Sequence, residues 1–176
     1  WIHIPVGYYK TMHNPKTDWC YKTEPDETME GVSIPYPRGK TLGGSSSING
    51  LLYIRGQEED YNVWRQLGNT GWGWNDVLPY FIKAENQERG ENEFHGVGGP
   101  LSVSDIRVKL PILDVFRNAA KEAGIPSVKD FNTGDNFGCG YFQVTEKNGL
   151  RCSTAVGYLN PVKHRKNLKI ETNCHV

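Results

Sequence analysis

The run Pro37-Arg38-Gly39-Lys40-Thr41-Leu42-Gly43-Gly44-Ser45-Ser46-Ser47-Ile48-Asn49-Gly50-Leu51-Leu52-Tyr53-Ile54-Arg55-Gly56 constrains this chain more than any other part of it. Adjacent glycines let a backbone adopt positive φ and come close to whatever lies beside it. Successive N–H groups in such a bend make a concavity suited to an anion, and serine hydroxyls add donors. Arg38 and Lys40 lie just upstream and supply positive charge, while Asn49 can both donate and accept. These are the properties of a cradle for a phosphate-bearing ligand. The same composition also describes a flexible Gly/Ser linker. The tract is short, however, and Leu42, Ile48, Leu51 and Leu52 around it gain by burial. On the residues alone both readings stand.

Other phosphate motifs are missing. No G-x-x-x-x-G-K-[ST] occurs, nor a G-x-G-x-x-G between a strand and a helix, and Gly138-Cys139-Gly140 has only two of the three glycines. With 20 Lys and Arg against 20 Asp and Glu, the formal net charge is zero, which gives no electrostatic case for a nucleic-acid or membrane-surface partner. A length of 176 residues allows one domain with a core. The 20 Gly and 10 Pro point to turns rather than disorder, because 5 Trp, 9 Tyr and 6 Phe are hard to leave in water. Cys20, Cys139, Cys152 and Cys174 form no C-x-x-C pair and show no zinc spacing, so they read as free thiols. That favours a reducing compartment and hence a cytoplasmic location. No run is long and apolar enough for a membrane span.

Mixed helices and strands with long connections indicate an α/β class with α+β elements. The alternation in 17–23 predicts a strand, and prolines hold 33–37 extended. Gln57–Leu67 predicts a helix with an acidic first turn and Gly68 as its stop. A second helix is expected to start at Asn75 or Asp76 as cap, with Pro79 in or just beyond its first turn. Residues 86–100 read as a surface loop, 101–104 as a short strand, and 130–150 as loop. Leu110–Ala123 carries the clearest amphipathic stripe: Ile112, Val115, Phe116, Ala119, Ala120 and Ala123. Ser153 can cap a short helix through Leu159, and 168–172 alternates as a strand. The tryptophans Trp64, Trp72 and Trp74 are expected in the core, and Cys139 and Cys152 as packing residues.

The run Pro37–Asn49 closely resembles the first signature of the glucose-methanol-choline (GMC) oxidoreductases. Other blocks agree in order: Thr17-Asp18-Trp19; Arg55-Gly56 with Asp60-Tyr61 and Trp64; Gly71-Trp72 with 78–81; Phe94-His95-Gly96 with Gly99-Pro100-Leu101; and Arg151 with Ser153-Thr154-Ala155. The likeness spans nearly the whole chain and leans toward bacterial-type alcohol and choline dehydrogenases. It implies part of a Rossmann-like FAD-binding domain over 1–176, with 37–56 as the flavin-cradling loop and 86–150 as a loop-rich excursion bearing one amphipathic helix. It implies FAD as cofactor, an alcohol as substrate and oxidation by hydride transfer. Arg38, Lys40, Thr41, Leu42, Gly43, Gly44 and Ser45 would line the pyrophosphate and flavin side of FAD. Asn49, Gly50, Leu51 and Leu52 would lie along the isoalloxazine ring, and Val176 would meet the adenine. Some members attach the flavin through a histidine where this chain has Ile48, so attachment by that route is excluded and non-covalent binding is expected.

Two family features are missing: the opening strand with its glycine fingerprint for the ADP half of FAD, and the C-terminal part with the catalytic base. The expectation is therefore an internal fragment, inactive alone and partnered by the remainder of its polypeptide, with no catalytic residue of its own. His3, His13, His95, His164 and His175 are not assigned as bases. His95 reads as a packing or capping residue in a glycine-rich loop, and His164 as part of a solvated basic face. Two alternatives remain: a non-enzymatic module for a phosphate ligand, and an FAD-containing lyase of the same fold.

Overall fold

Residues 1–174 are described by the computed structural model, and they divide into two units: 1–50 with 150–174, and 51–149. Val176 and His175 lie outside the described residues.

In the first unit the chain opens with a one-turn helix, α1 (Tyr8–Thr11). A two-residue ladder follows, β1 (Tyr21–Lys22) antiparallel to β2 (Pro35–Tyr36), so only the end of the alternating 17–23 segment is strand. Asp18, close by in sequence, is buried and ties down the start of the glycine loop at Arg38. Its carboxylate accepts the N–H groups of His13 at 2.7 Å, Cys20 at 3.0 Å and Arg38 at 2.9 Å. Burial alone would raise its pKa. The three donors outweigh that and hold it below the usual carboxylate range. After the loop, a short wide-turned helix covers Ala155–Leu159, with Val156 N–H donating to Ser153 Oγ at 3.4 Å, as the Ser153 cap predicts. The alternating 168–172 segment is not a strand. Alternation yields a strand only where a neighbour completes the ladder, and no strand among the described residues pairs with it.

The second unit is built on a four-stranded mixed sheet: β3 (Leu52–Tyr53), β6 (Gln143–Val144), β5 (Leu101–Asp105) and β4 (Glu85–Gln87), in that spatial order. β6 runs antiparallel to both neighbours, with Val144 opposite Leu52 and Ser104, while β4 and β5 are parallel with Asn86 opposite Ser102. Val103 and Val144 are fully buried at its centre. Two of these strands, β4 and β6, fall in segments whose sequence reads as loop.

Helix α2 (Glu58–Gln66) matches its prediction. Asp60 reaches back to accept the Gln57 N–H at 2.7 Å. Helix α3 (Trp74–Ala84) starts earlier than predicted: Gly73 is its cap, and Asp76 acts from the third position by accepting the Gly73 N–H at 3.0 Å. Pro79 therefore lies inside the helix rather than in its first turn. Tyr61 joins the two helices through ring contacts with Trp74 and Phe81, each at 5.8 Å. Trp74 is buried, but Trp64 and Trp72 are exposed against expectation and pack on each other at 5.9 Å.

Helix α4 (Pro111–Glu122) forms where its stripe predicts, yet Ile112, Val115 and Phe116 stay exposed and only Ala120 is buried. An amphipathic face is buried only where another element covers it, and none of the described residues does so here.

Candidate functional site

The loop from Arg38 to Gly50 is fixed by the side chains behind it. Gly43 adopts φ 88° and Gly44 φ 54°, the left-handed region that glycine enters without strain. Ser47, buried, donates to the Leu42 carbonyl at 2.8 Å. Ser46 Oγ donates to the Gly43 carbonyl at 2.5 Å, and Thr154 Oγ1 to the same oxygen at 3.2 Å. In a trans peptide the N–H points opposite to the C=O. Tying the Leu42 oxygen to buried Ser47 thus turns the Gly43 N–H away from the interior. Gly39 is a glycine for another reason: a Cβ there would sit 2.1 Å from the Gly44 carbonyl oxygen. The two arms of the loop touch backbone to backbone, and Gly39 N–H donates to Ser45 Oγ at 3.2 Å.

Beside this loop is a cleft of about 650 Å³, walled by Lys16, Trp19, Gly39, Lys40, Thr41 and Leu42 and by residues 171–174. Lys40 holds its ammonium 4.7 Å above the Trp19 ring. Arg38 stacks its guanidinium 4.0 Å above the Tyr36 ring. Of the residues predicted from sequence, the structure brings Lys40, Thr41 and Leu42 together in the cleft wall. Arg38 is exposed, and Gly43, Gly44 and Ser45 form the bend itself. Asn49 and Gly50 are exposed, and the Asn49 side chain takes a hydrogen bond from Arg151 Nη1 at 2.7 Å. Leu51 and Leu52 belong to the second unit. Leu51 is buried at φ 65°, a strained position for leucine, and its carbonyl accepts the Thr145 N–H at 2.9 Å. Val176 lies outside the described residues.

Sequence reasoning gave no role to Arg151 and Thr154, although both stand in a block that carries the family resemblance. It also gave none to Lys16, which nothing but the folded chain brings to the cleft. Lys16 and Lys40 outnumber the one carboxylate of the lining, Glu171, and with the Trp19 wall they suit an anionic ligand that carries planar rings. A dinucleotide such as FAD has this character, so the residues present fit that group.

The second unit buries a polar network of its own. Glu85, wholly buried, pairs with Arg55 at 2.9 Å and with His95 Nδ1 at 2.9 Å. His95 Nε2 lies 3.1 Å from Asp130. Burial pushes the imidazole pKa down, but the Asp130 and Glu85 carboxylates on either side overcome this and lift it to about 9. Arg55 further donates to the Phe94 carbonyl at 2.7 Å, and its own N–H reaches Asn132 Oδ1 at 2.7 Å. Gln87 and Gln143 exchange amide hydrogen bonds at 3.1 and 2.9 Å. Each charged side chain here has an opposite charge in contact, and His95 itself is 1% exposed. Its place is that of a packing residue, as read from the sequence.

The family model described as GMC oxidoreductase matches residues 26–176, and the chain belongs to that family. It is 42% identical over 175 residues to an alcohol dehydrogenase [acceptor] of Pseudomonas putida, covering 99% of this chain and 32% of that protein. It is 42% identical over 170 residues to a mitochondrial choline dehydrogenase of Mus musculus, covering 97% and 28%. Among solved structures, the pyridoxine 4-oxidase of Mesorbium loti superposes with a TM-score of 0.91 at 30% identity, covering 97% of this chain and 34% of that one. An FAD-dependent oxidoreductase of Chaetomium thermophilum gives 0.85 at 27% identity, with 97% and 31% covered. The chain therefore spans about a third of the length of its relatives, as expected for a fragment. Its mixed α/β class agrees with the sequence reading. No helix of the described residues is long and apolar enough to cross a membrane.

Proposed function

We propose that this chain supplies the flavin-facing loop of an FAD-dependent oxidoreductase that oxidises an alcohol CH–OH group by hydride transfer. The observation that carries the reading is the double-glycine bend, with Gly43 and Gly44 both at positive φ, directly following the Lys40–Leu42 wall of a cleft that Trp19 also lines. The names of its relatives support it: two are alcohol and choline dehydrogenases, and one structural neighbour is FAD-dependent.

Bound FAD supplies the hydride acceptor; this chain supplies position and charge. Arg38 and Lys40 offer cations to the pyrophosphate, and the amides around Gly43, Gly44 and Ser45 offer donors. Of these amides the Gly44 N–H is taken within the loop by the Thr41 carbonyl at 2.9 Å, which leaves those of Gly43 and Ser45 to the ligand. Thr41 and Leu42 wall the flavin side, and Asn49, Gly50, Leu51 and Leu52 border the ring, with Val176 toward the adenine. Preorganised donors of this kind favour negative charge that develops on a bound group. Ile48 is buried and has no nucleophilic atom, which supports non-covalent binding. The base lies in the remainder of the polypeptide. In this scheme 1–176 is part of an FAD-binding domain, 37–56 its flavin loop and 86–150 an excursion.

The test is purification of the full-length protein that contains this chain. It should be yellow and should bleach under anaerobic addition of a primary alcohol. Arg38→Ala combined with Gly44→Val should strip most of the flavin. A double variant that keeps full flavin content would refute the cradle.

A further inference from the structure

Arg151 is 2% exposed, behind the glycine loop. Its Nε donates to the Ile2 carbonyl at 2.9 Å, and its Nη1 to the Ser46 carbonyl at 3.1 Å and to Asn49 Oδ1 at 2.7 Å. All three acceptors are neutral. Among the described residues no carboxylate pairs with it, and Nη2, shut off from solvent, has no hydrogen-bond partner. Burial holds the guanidinium below its ordinary range, yet an arginine stays charged in a protein. A buried cation with no counter-charge is among the costliest groups a fold can carry. Arg55, buried to a similar degree in the other unit, shows the usual remedy in its contact with Glu85. Arg151 lacks that remedy and instead grips the two loop residues that follow the double glycine.

We propose that Arg151 is the positioning residue of the flavin loop, holding Ser46 and Asn49 from the buried side while its unmatched charge is answered by the negative charge of the bound cofactor. This rests on the flavin reading above. The cofactor's negative charge has two sources, the pyrophosphate and the reduced ring. In both cases the interaction acts across the loop through a medium poorer than water at screening charge.

Three variants of the full-length protein test it, each titrated with FAD after removal of the flavin and each melted in the apo form. Arg151→Gln keeps a donor for the loop and removes the charge; its FAD dissociation constant should rise about tenfold or more, while its apo form melts no lower than wild type. Arg151→Lys keeps the charge and should bind FAD within about threefold of wild type. Asn49→Asp sets a carboxylate on the guanidinium without a change of shape, so its apo form should melt higher and its FAD binding should weaken. A drop in the flavin midpoint potential of the Gln variant assigns the charge to the ring, and an unmoved potential with weakened binding assigns it to the pyrophosphate. The proposal is overturned if Gln binds FAD as tightly as wild type, if Lys is the worse of the two, or if Asn49→Asp melts lower in the apo form. The Asn49→Asp result stands even if the Arg151 variants do not fold. If wild type itself takes up no FAD, the flavin reading fails first; wild-type binding with an unaffected Gln variant sinks only the role of Arg151.

Discussion

Replacing His95 by Gln removes the one titrating cation that sits between Glu85 and Asp130, and the cost should depend on pH in a calculable way. The imidazole is buried, with carboxylates 2.9 and 3.1 Å from its two nitrogens, and these lift its pKa to about 9 against burial. The unfolded chain has it near 6.5. Below about pH 6.5 both states carry the proton and the full stabilisation is present. Between the two values only the folded state holds it, so stability falls by about 1.4 kcal/mol per pH unit, and above about pH 9 the contribution is gone. The span amounts to about 3 kcal/mol. Urea or thermal melts of wild type and His95→Gln at several pH values between 6 and 10 measure it. Wild type should lead by about 3 kcal/mol at pH 6 and lose most of that lead by pH 10. A gap that stays constant across the range, or widens as pH rises, would show that His95 is held neutral and that the network is assigned wrongly.

Three further outcomes follow from the same geometry. Glu85→Ala strands Arg55 without an opposite charge and leaves His95 only Asp130, and should cost about 3–5 kcal/mol in melts, whereas Arg89→Ala, at a half-exposed pair with Asp105, should cost under about 1 kcal/mol; equal losses would refute the ranking. Gly39→Ala drives a Cβ to 2.1 Å from the Gly44 oxygen, so it should cost about 1–3 kcal/mol and lower flavin retention in the full-length protein, which bound-flavin absorbance reports. Asp18 has a depressed pKa, so its stabilisation is present above about pH 4 and is lost as pH falls through its folded value. Asp18→Asn should therefore cost about 2 kcal/mol near neutrality and flatten the acid limb of the stability profile, as melts down to low pH would reveal.

The parts of this fold that could be read from sequence are those whose signal is local. Helix α2 announces itself through Glu58, Glu59 and Asp60 ahead of Tyr61 and Trp64, and α4 through its stripe. The sheet could not be read in this way. Strand β4 is Glu85-Asn86-Gln87, three polar residues with no alternation, because two of them turn into a buried network made by Arg55, His95 and Gln143 from elsewhere in the chain. Strand β6 is two residues long, too short for any periodic signal. The opposite failure occurs at 168–172 and on α4, where the pattern is present and the covering element is not among the described residues. In the candidate site the glycine tract was legible because its glycines, serines and flanking cations are contiguous in sequence. Arg151 and Lys16 did not, because what matters at each is a neighbour far away in sequence.

The two buried arginines show what separates scaffold from site in this chain. Around Arg55 the charges close among themselves: Glu85 faces both Arg55 and His95, and Asp130 faces His95 and Arg89. Removing a member breaks a balance that the sequence already contains, so such a network fixes one packing and asks nothing of a ligand. Around Arg151 the balance is left open, with only carbonyl and amide oxygens as partners. Folding the chain this way costs more than an apolar side chain would at the same place. That cost falls on Arg151, directly behind Ser46 and Asn49 of the glycine tract. Under the role proposed for Arg151, both features have a single explanation: the loop and the arginine beneath it are halves of one electrostatic device, completed when a negative charge binds on the exposed side.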